Sequence, residues 1–157
     1  MHRSIEALIQ DAESSGRTLA QVVLDTEVQE SGRTAEEIRE RITRTLRVMR
    51  DAIDEGLKGE VRSPSGLTGG RAARLWHDGP RLLGPRVTAT LARAISTLEV
   101  NAAMGLIVAA PTAGAAGVLP AIVTGVGEFL ELDEEQLIDG ALNQGLVFAP
   151  FLKWHVQ

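Results

Sequence analysis

Residues 34–53 read TAEEIRERITRTLRVMRDAI. Thr34 and Glu37 have the spacing of a capping box, in which a hydroxyl and an acid satisfy each other's orphan amides at a helix start. Ile38, Ile42, Leu46, Met49 and Ile53 then recur at steps of four, four, three and four. That period is helical, not extended. Arginines fill the outer positions, so the stretch predicts a long amphipathic helix that stops near Gly56 or Gly59.

The same pattern repeats outward in both directions. Thr18-Leu19-Ala20-Gln21 is another capping box, and Val22, Val23 and Thr26 carry its helix to Gly32. Ser4 is placed to cap a short helix with Ile5, Leu8, Ile9 and Ala12 on one face, ended by Gly16. Residues 59–70 hold Gly59, Pro64, Gly66, Gly69 and Gly70, which predicts a loop. A short helix is expected around Arg71–Trp76, and Gly79-Pro80 and Gly84-Pro85 punctuate the chain after it. Pro85 suits a first helical turn, where its missing amide would be an orphan anyway. From Arg86 a helix is predicted through Leu91, Ile95 and Leu98 towards Ala102. Asp133-Glu134-Glu135-Gln136 opens a last helix through Leu137, Ile138, Leu142 and Leu146. No run alternates as a strand would. The chain reads as all-α, a single helical domain over residues 1–157.

Composition narrows the function classes. The chain has 157 residues, 44% hydrophobic and 24% charged, a globular balance. It contains no cysteine, which excludes disulfides, thiolate zinc sites and a cysteine nucleophile. Aromatics are 3% and the net charge is −5, which argues against base stacking and phosphate-backbone binding, so no nucleic-acid partner is expected. The start Met1-His2-Arg3-Ser4-Ile5-Glu6 has no apolar stretch behind a basic end, so the cytoplasm is the expected compartment. Residues 61–100 carry 6 basic and 2 acidic groups, against 9 and 13 in residues 1–60 and 1 and 6 in residues 101–157. The middle block is therefore the one suited to attract a small anion, unless its arginines simply pair with acidic neighbours.

From Val100 to Gly127 no side chain is ionisable. A membrane span is not the expected reading, because Pro111, Thr112, Gly114, Gly117 and Pro120 interrupt the run and no basic cluster flanks it. A buried, uncharged helix pair joined by a Gly/Ala/Thr loop fits better. Amides of a buried loop need partners, and a polar ligand would supply them. A tight, self-satisfied turn is the competing reading. Two Gly-rich stretches thus stand out, Ser63–Gly70 and Ala110–Gly117. Each offers hydroxyls, unhindered amides and a following helix N-terminus, the equipment that holds carboxylates and phosphates. Neither is a P-loop or a dinucleotide fingerprint.

Three motifs in order carry a family resemblance: Ser65-Gly66-Leu67-Thr68-Gly69-Gly70, then Glu99-Val100-Asn101-Ala102-Ala103-Met104-Gly105, then Ile107-Val108-Ala109-Ala110-Pro111-Thr112-Ala113-Gly114. Their wording and spacing resemble the α chain of iron–sulfur-dependent L-serine dehydratase. Gly117-Val118-Leu119-Pro120-Ala121 extends the match. The resemblance covers most of residues 18–147 and is specific over 63–121. It implies a helical domain that helps convert L-serine to pyruvate and ammonia in amino-acid degradation feeding gluconeogenesis. It implies a 4Fe-4S cluster as cofactor and no pyridoxal phosphate. One iron of that cluster would act as a Lewis acid on the substrate hydroxyl and carboxylate while a base takes the Cα proton. The resemblance assigns substrate contacts to Ser65, Gly66, Thr68, Gly69, Asn101, Thr112, Ala113 and Gly114, and no residue to the base.

The departures matter as much. The family's cluster cysteines follow the region equivalent to Gly145, whereas this chain has none. Ala115 stands where the motif usually carries a hydroxyl or thiol. Phe151, Trp154 and Val156 look like a face awaiting cover. The chain therefore reads as the N-terminal half of the α region, inactive alone. Its expected partners are L-serine, the remaining cysteine-containing α half and a β chain or domain, in an oligomer, with no membrane. His2, His77 and His155 are scattered and lack a metal-ligand spacing. Glu99, an acid amid an apolar helix, is either functional or paired with Arg71, Arg74 or Arg93. A related lyase acting on L-cysteine, and a non-catalytic binding or assembly module, are the alternative functions.

Overall fold

The computed structural model describes residues 5–79, 82–110 and 112–143. Its helices are α1 (Ile5–Ser15), α2 (Leu19–Ser31), α3 (Ala35–Leu57), α4 (Arg71–Asp78), α5 (Pro85–Ala102) and α6 (Ala113–Phe129), followed by α7 over 134–143. No strand occurs among the described residues, so the chain is all-α. The Ser4 cap, Pro80, Pro111, Leu146, His2, His155 and the apolar group Phe151, Trp154 and Val156 lie outside the described residues.

Contacts divide the chain into two compact units, one of residues 1–44 and 134–157 and one of residues 45–133. In the first, the capping boxes form as their spacing predicts. Thr18 N donates to Gln21 Oε1 at 2.9 Å, and Gln21 N donates to Thr18 Oγ1 at 3.2 Å. Thr34 N donates to Glu37 Oε2 at 2.8 Å, and Glu37 N donates to Thr34 Oγ1 at 3.2 Å. The Thr34 backbone bond, then the Thr34 hydroxyl, hold the Glu37 carboxyl below the usual carboxylate range. Gly32 closes α2 in the left-handed region at φ 68°, its amide donating to Val28 O. Leu8, Val22, Val23, Leu24, Ile38, Ile138 and Leu142 are buried here, and Arg39 pairs with Asp139 at 3.2 Å. The periodic stripe of α3 serves both units: Ile38 belongs to this one, whereas Leu46, Met49 and Ile53 are buried in the second.

In the second unit α5 is the central helix. The amides of Arg71 and Ala72, at the start of α4, meet Glu99 near the end of α5, and Arg93 lies 5.1 Å from the Trp76 ring. α4 therefore runs antiparallel to α5. So does α6: Gly117 sits against Ala94 and Leu98, Gly125 against Thr90, and Glu128 pairs with Arg93. The last turns of α3 pack on the same helix, where the fully buried Ser96 donates to Ile53 O at 2.5 Å.

The uncharged run departs from expectation in one respect. Residues 113–117 are not loop but the first turns of α6, and Pro120 lies inside that helix instead of interrupting it. Thr112 caps the helix, its Oγ1 accepting from Ala115 N at 3.1 Å. Its glycines are contact points. A Cβ on Gly117 would stand 2.8 Å from Ala94 O and 2.8 Å from Leu98 Cγ. Close approach to α5 outweighs the poor helix propensity of glycine and the missing amide of Pro120. α6 is also only half buried. Ala116, Ala121 and Val123 are buried, whereas Val118, Ile122, Val126 and Phe129 are between 40% and 47% exposed. No described helix is long and apolar enough to cross a membrane.

Candidate functional site

Antiparallel packing has a direct consequence for the three motifs. The N-termini of α4 and α6 both lie at the end of the unit where α5 has its C-terminus. The Ser63–Gly70 loop, Asn101 and the Thr112–Gly114 cap are therefore gathered at one end of the α4–α5–α6 group.

The first stretch is a closed loop. Ser63 N donates to Thr68 O at 2.8 Å, and Thr68 N donates to Ser63 Oγ at 3.1 Å. Ser63 Oγ also lies 3.2 Å from Ser65 Oγ. Ser63 is buried and shapes the loop from within, while Ser65 and Gly66 are exposed and Thr68 and Gly69 half-buried. Gly69 and Gly70 have φ of 145° and 75°, conformations that side-chain-bearing residues rarely adopt. Just before the loop, Arg62 donates to Gly59 O and Val61 O at 2.7 Å each. The Thr68 hydroxyl makes no hydrogen bond among the described residues and remains available to a ligand.

Gly70 is the N-cap of α4, and it offers no side chain to that helix. The carboxylate of Glu99 does so instead. Oε1 accepts from Arg71 N at 2.9 Å and Oε2 from Ala72 N at 3.3 Å. Glu99 is 1% exposed, so these charge-assisted bonds and the positive end of the helix offset the cost of its burial. Of the two readings of Glu99, pairing with an arginine takes another form than a guanidinium contact: Glu99 meets the backbone amide of Arg71, while Arg93 is held by Glu128 and lies over Trp76. An anion-binding helix start was legible at Arg71, but its occupant is internal.

Asn101 is exposed two residues further on, and its side-chain amide has no partner among the described residues. Just beyond it α5 ends in a Schellman motif. Gly105 N donates to Val100 O at 2.9 Å and Met104 N to Asn101 O at 3.0 Å. Met104, not a glycine, takes the left-handed position at φ 66°. The chain then extends to the Thr112 cap. Thr112, Ala113 and Gly114 are exposed, and the amides of Ala113 and Gly114 are unpartnered among the described residues, as the first amides of a helix are. The Thr112 hydroxyl is engaged by its own helix.

Two cavities of this unit are lined by other residues. One, of about 380 Å³, lies among Arg71, Arg74, Leu75, Leu83, Thr88 and Leu91. The other, about 660 Å³ and open, is lined by Asp51, Asp54, Glu55, Lys58, Glu60 and Val61. The described residues contain no cluster of three His, Cys, Asp or Glu side chains able to hold a metal ion. Sequence reading assigns no role to Ser63; the signal for it was its distance of five residues from Thr68, which a loop closure needs.

Comparison with known proteins bears on this end of the unit. Residues 14–152 match the family model of the serine dehydratase alpha chain. The chain is 38% identical over 141 residues to the probable L-serine dehydratase alpha chain of Bacillus subtilis, covering 88% of this chain and 47% of that protein. It is 31% identical over 146 residues to the L-serine dehydratase alpha chain of Peptoniphilus asaccharolyticus, covering 91% and 50%. It is 32% identical over 152 residues to the L-serine dehydratase of Streptomyces coelicolor, covering 92% and 32%. The chain thus spans about half the length, or less, of these curated relatives. No solved structure matches it.

Proposed function

The chain belongs to the serine dehydratase alpha chain family, and on that premise we propose that it supplies the L-serine-binding loops of an L-serine dehydratase, which converts L-serine to pyruvate and ammonia. The observation that carries this reading is the convergence of the Ser63–Gly70 loop, Asn101 and the α6 N-terminus at one end of α5. L-Serine presents a carboxylate, a hydroxyl and an ammonium. The free amides of Ala113 and Gly114, at the positive end of a 17-residue helix, suit the carboxylate. The Thr68 hydroxyl, the Ser65 hydroxyl and the Asn101 carboxamide suit the substrate's own hydroxyl and ammonium. Gly66 leaves room for close approach of backbone to ligand, while Gly69 lets the loop pass close to Val61 O. These groups bind and orient; no described side chain is assigned the base.

The residues present do not fit a 4Fe-4S cluster. The chain has no cysteine, and its described acids and histidines form no ligand group. Such a cluster, and the chemistry it carries, belongs with a cysteine-bearing α portion and a β chain or domain as partners. The outer face of α6, with Val118, Ile122, Val126 and Phe129, is the surface offered to that portion. A helix apolar on both sides suits the interior of a larger assembly. Ile122→Asp is expected to abolish co-purification with the cysteine-bearing portion while leaving the helical circular dichroism spectrum unchanged; retained association would remove α6 from that role.

Calorimetric titration of the full chain tests the binding reading. L-Serine is expected to bind more tightly than L-alanine, which lacks the hydroxyl, and Asn101→Ala to weaken L-serine several-fold. L-Cysteine binding well ahead of L-serine would transfer the site to a cysteine-degrading lyase. No amino-acid binding at all would leave a binding or assembly module. Pyruvate release from L-serine by the chain alone would contradict the assignment of the chemistry to a partner.

A further inference from the structure

We propose that Glu99 is a positioning residue: by capping α4 it sets where the Ser65–Gly70 loop stands relative to Asn101. The role rests on the reading of that loop as a substrate loop. Four features of the structure lead to it.

Glu99 is the one fully buried acid among the described residues, and both its oxygens are spent on amides 27 and 28 residues away in the chain. Those amides are the first two of α4, immediately after Gly70. Gly70 caps that helix with no side-chain hydrogen bond, so no side chain of the loop itself satisfies the first amides of α4. Glu99 is also on the last turns of α5, two residues before Asn101. One carboxylate therefore ties the helix that presents Asn101 to the end of the loop that presents Thr68 and Gly69. Finally, the loop has little freedom elsewhere. Its own closure at Ser63 and the close fit of Gly69 against Val61 and Arg62 make it a stiff piece, so movement of its α4 end carries the whole loop with it.

A substrate held between the loop and Asn101 would sense such a shift, because displacement by about 1 Å breaks hydrogen-bond geometry. A carboxylate is needed for this role rather than a neutral side chain. It accepts two bonds from parallel amides at once and complements the helix end, whereas a carboxamide turns one donor towards an amide donor.

Hydrogen exchange and L-serine titration on the full chain, with Glu99→Ala, Glu99→Gln and Glu99→Asp, test the proposal. In Glu99→Ala the amides of Arg71 and Ala72 are expected to exchange at least tenfold faster, with those of Gly69 and Gly70 following, and L-serine affinity to fall tenfold or more. Glu99→Gln, which keeps one acceptor, is expected to recover part of both effects. If Glu99→Ala does not fold, Glu99→Gln and Glu99→Asp carry the same comparison against the unmodified chain. Faster exchange at Arg71 and Ala72 with unchanged L-serine affinity would make Glu99 a structural cap and overturn the proposal. Unchanged exchange would overturn it as well. If the unmodified chain does not bind L-serine, the reading of the site fails; positioning of the loop then stands or falls on whether Gly69 and Gly70 respond together with Arg71.

Discussion

The two Gly-rich stretches look alike on paper and are used in opposite ways. Ser63–Gly70 stays a loop, and its glycines supply backbone conformations: Gly70 sits at φ 75° and opens α4 from the left-handed region. Ala110–Gly117 turns into helix at Ala113, and Gly117 supplies absence of bulk, letting α6 press on the Ala94 carbonyl. The first stretch is defined by local bonds, Ser63 to Thr68. The second is defined by a neighbour. Glycine content alone does not separate these uses; backbone conformation does, since Gly66, Gly69 and Gly70 have positive φ whereas Gly114 and Gly117 lie within α6.

Substitution separates them, and the largest effect belongs to the contact. Gly117→Val is expected to cost about 3 kcal/mol by forcing α6 away from α5, read as a lower urea midpoint with an unchanged slope. A neutral result would mean that α6 does not press on α5 there. Gly70→Ala comes next, at about 1.5 kcal/mol for a side chain in the left-handed region, and it crowds the Arg62 guanidinium, 3.1 Å from the new Cβ. An unchanged thermal midpoint would show that α4 begins without a left-handed cap. Met104→Gly runs the other way. It relieves a left-handed methionine and is expected to stabilise by about 1 kcal/mol; destabilisation would mean that the methionine side chain has packing that offsets its strain. Gly114→Ala is the smallest, a gain of about 0.5 kcal/mol, since its Cβ meets nothing within 4 Å and alanine is the better helix former. A loss there would assign Gly114 to conformation, as in the first stretch, and blur the comparison.

Legibility in the sequence follows the same division. The long stripe from Ile38 to Ile53 and the boxes at Thr18 and Thr34 were readable because capping and periodicity act within a few residues. The first loop was readable from its glycines and Pro64, which act locally, although its closure by Ser63 was not. The start of α6 was not, because its glycines and Pro120 are tolerated only through contact with α5. The partner of Glu99 was not readable either. Charge pairing points to a guanidinium, whereas the true donors, two amides after Gly70, are presented only once α4 has formed against α5. The three site motifs were named from their words; their meeting at one end of the unit depends on both helices running antiparallel to α5, which no spacing encodes.

The central claim is that this end of the α4–α5–α6 group holds L-serine. Amide nuclear magnetic resonance of the full, isotopically labelled chain during titration with L-serine tests it most directly. Shift changes concentrated at Ser65–Gly70, Asn101, Ala113 and Gly114, and absent with D-serine, are the predicted result. Changes confined to other residues, or none at saturating L-serine, would contradict it.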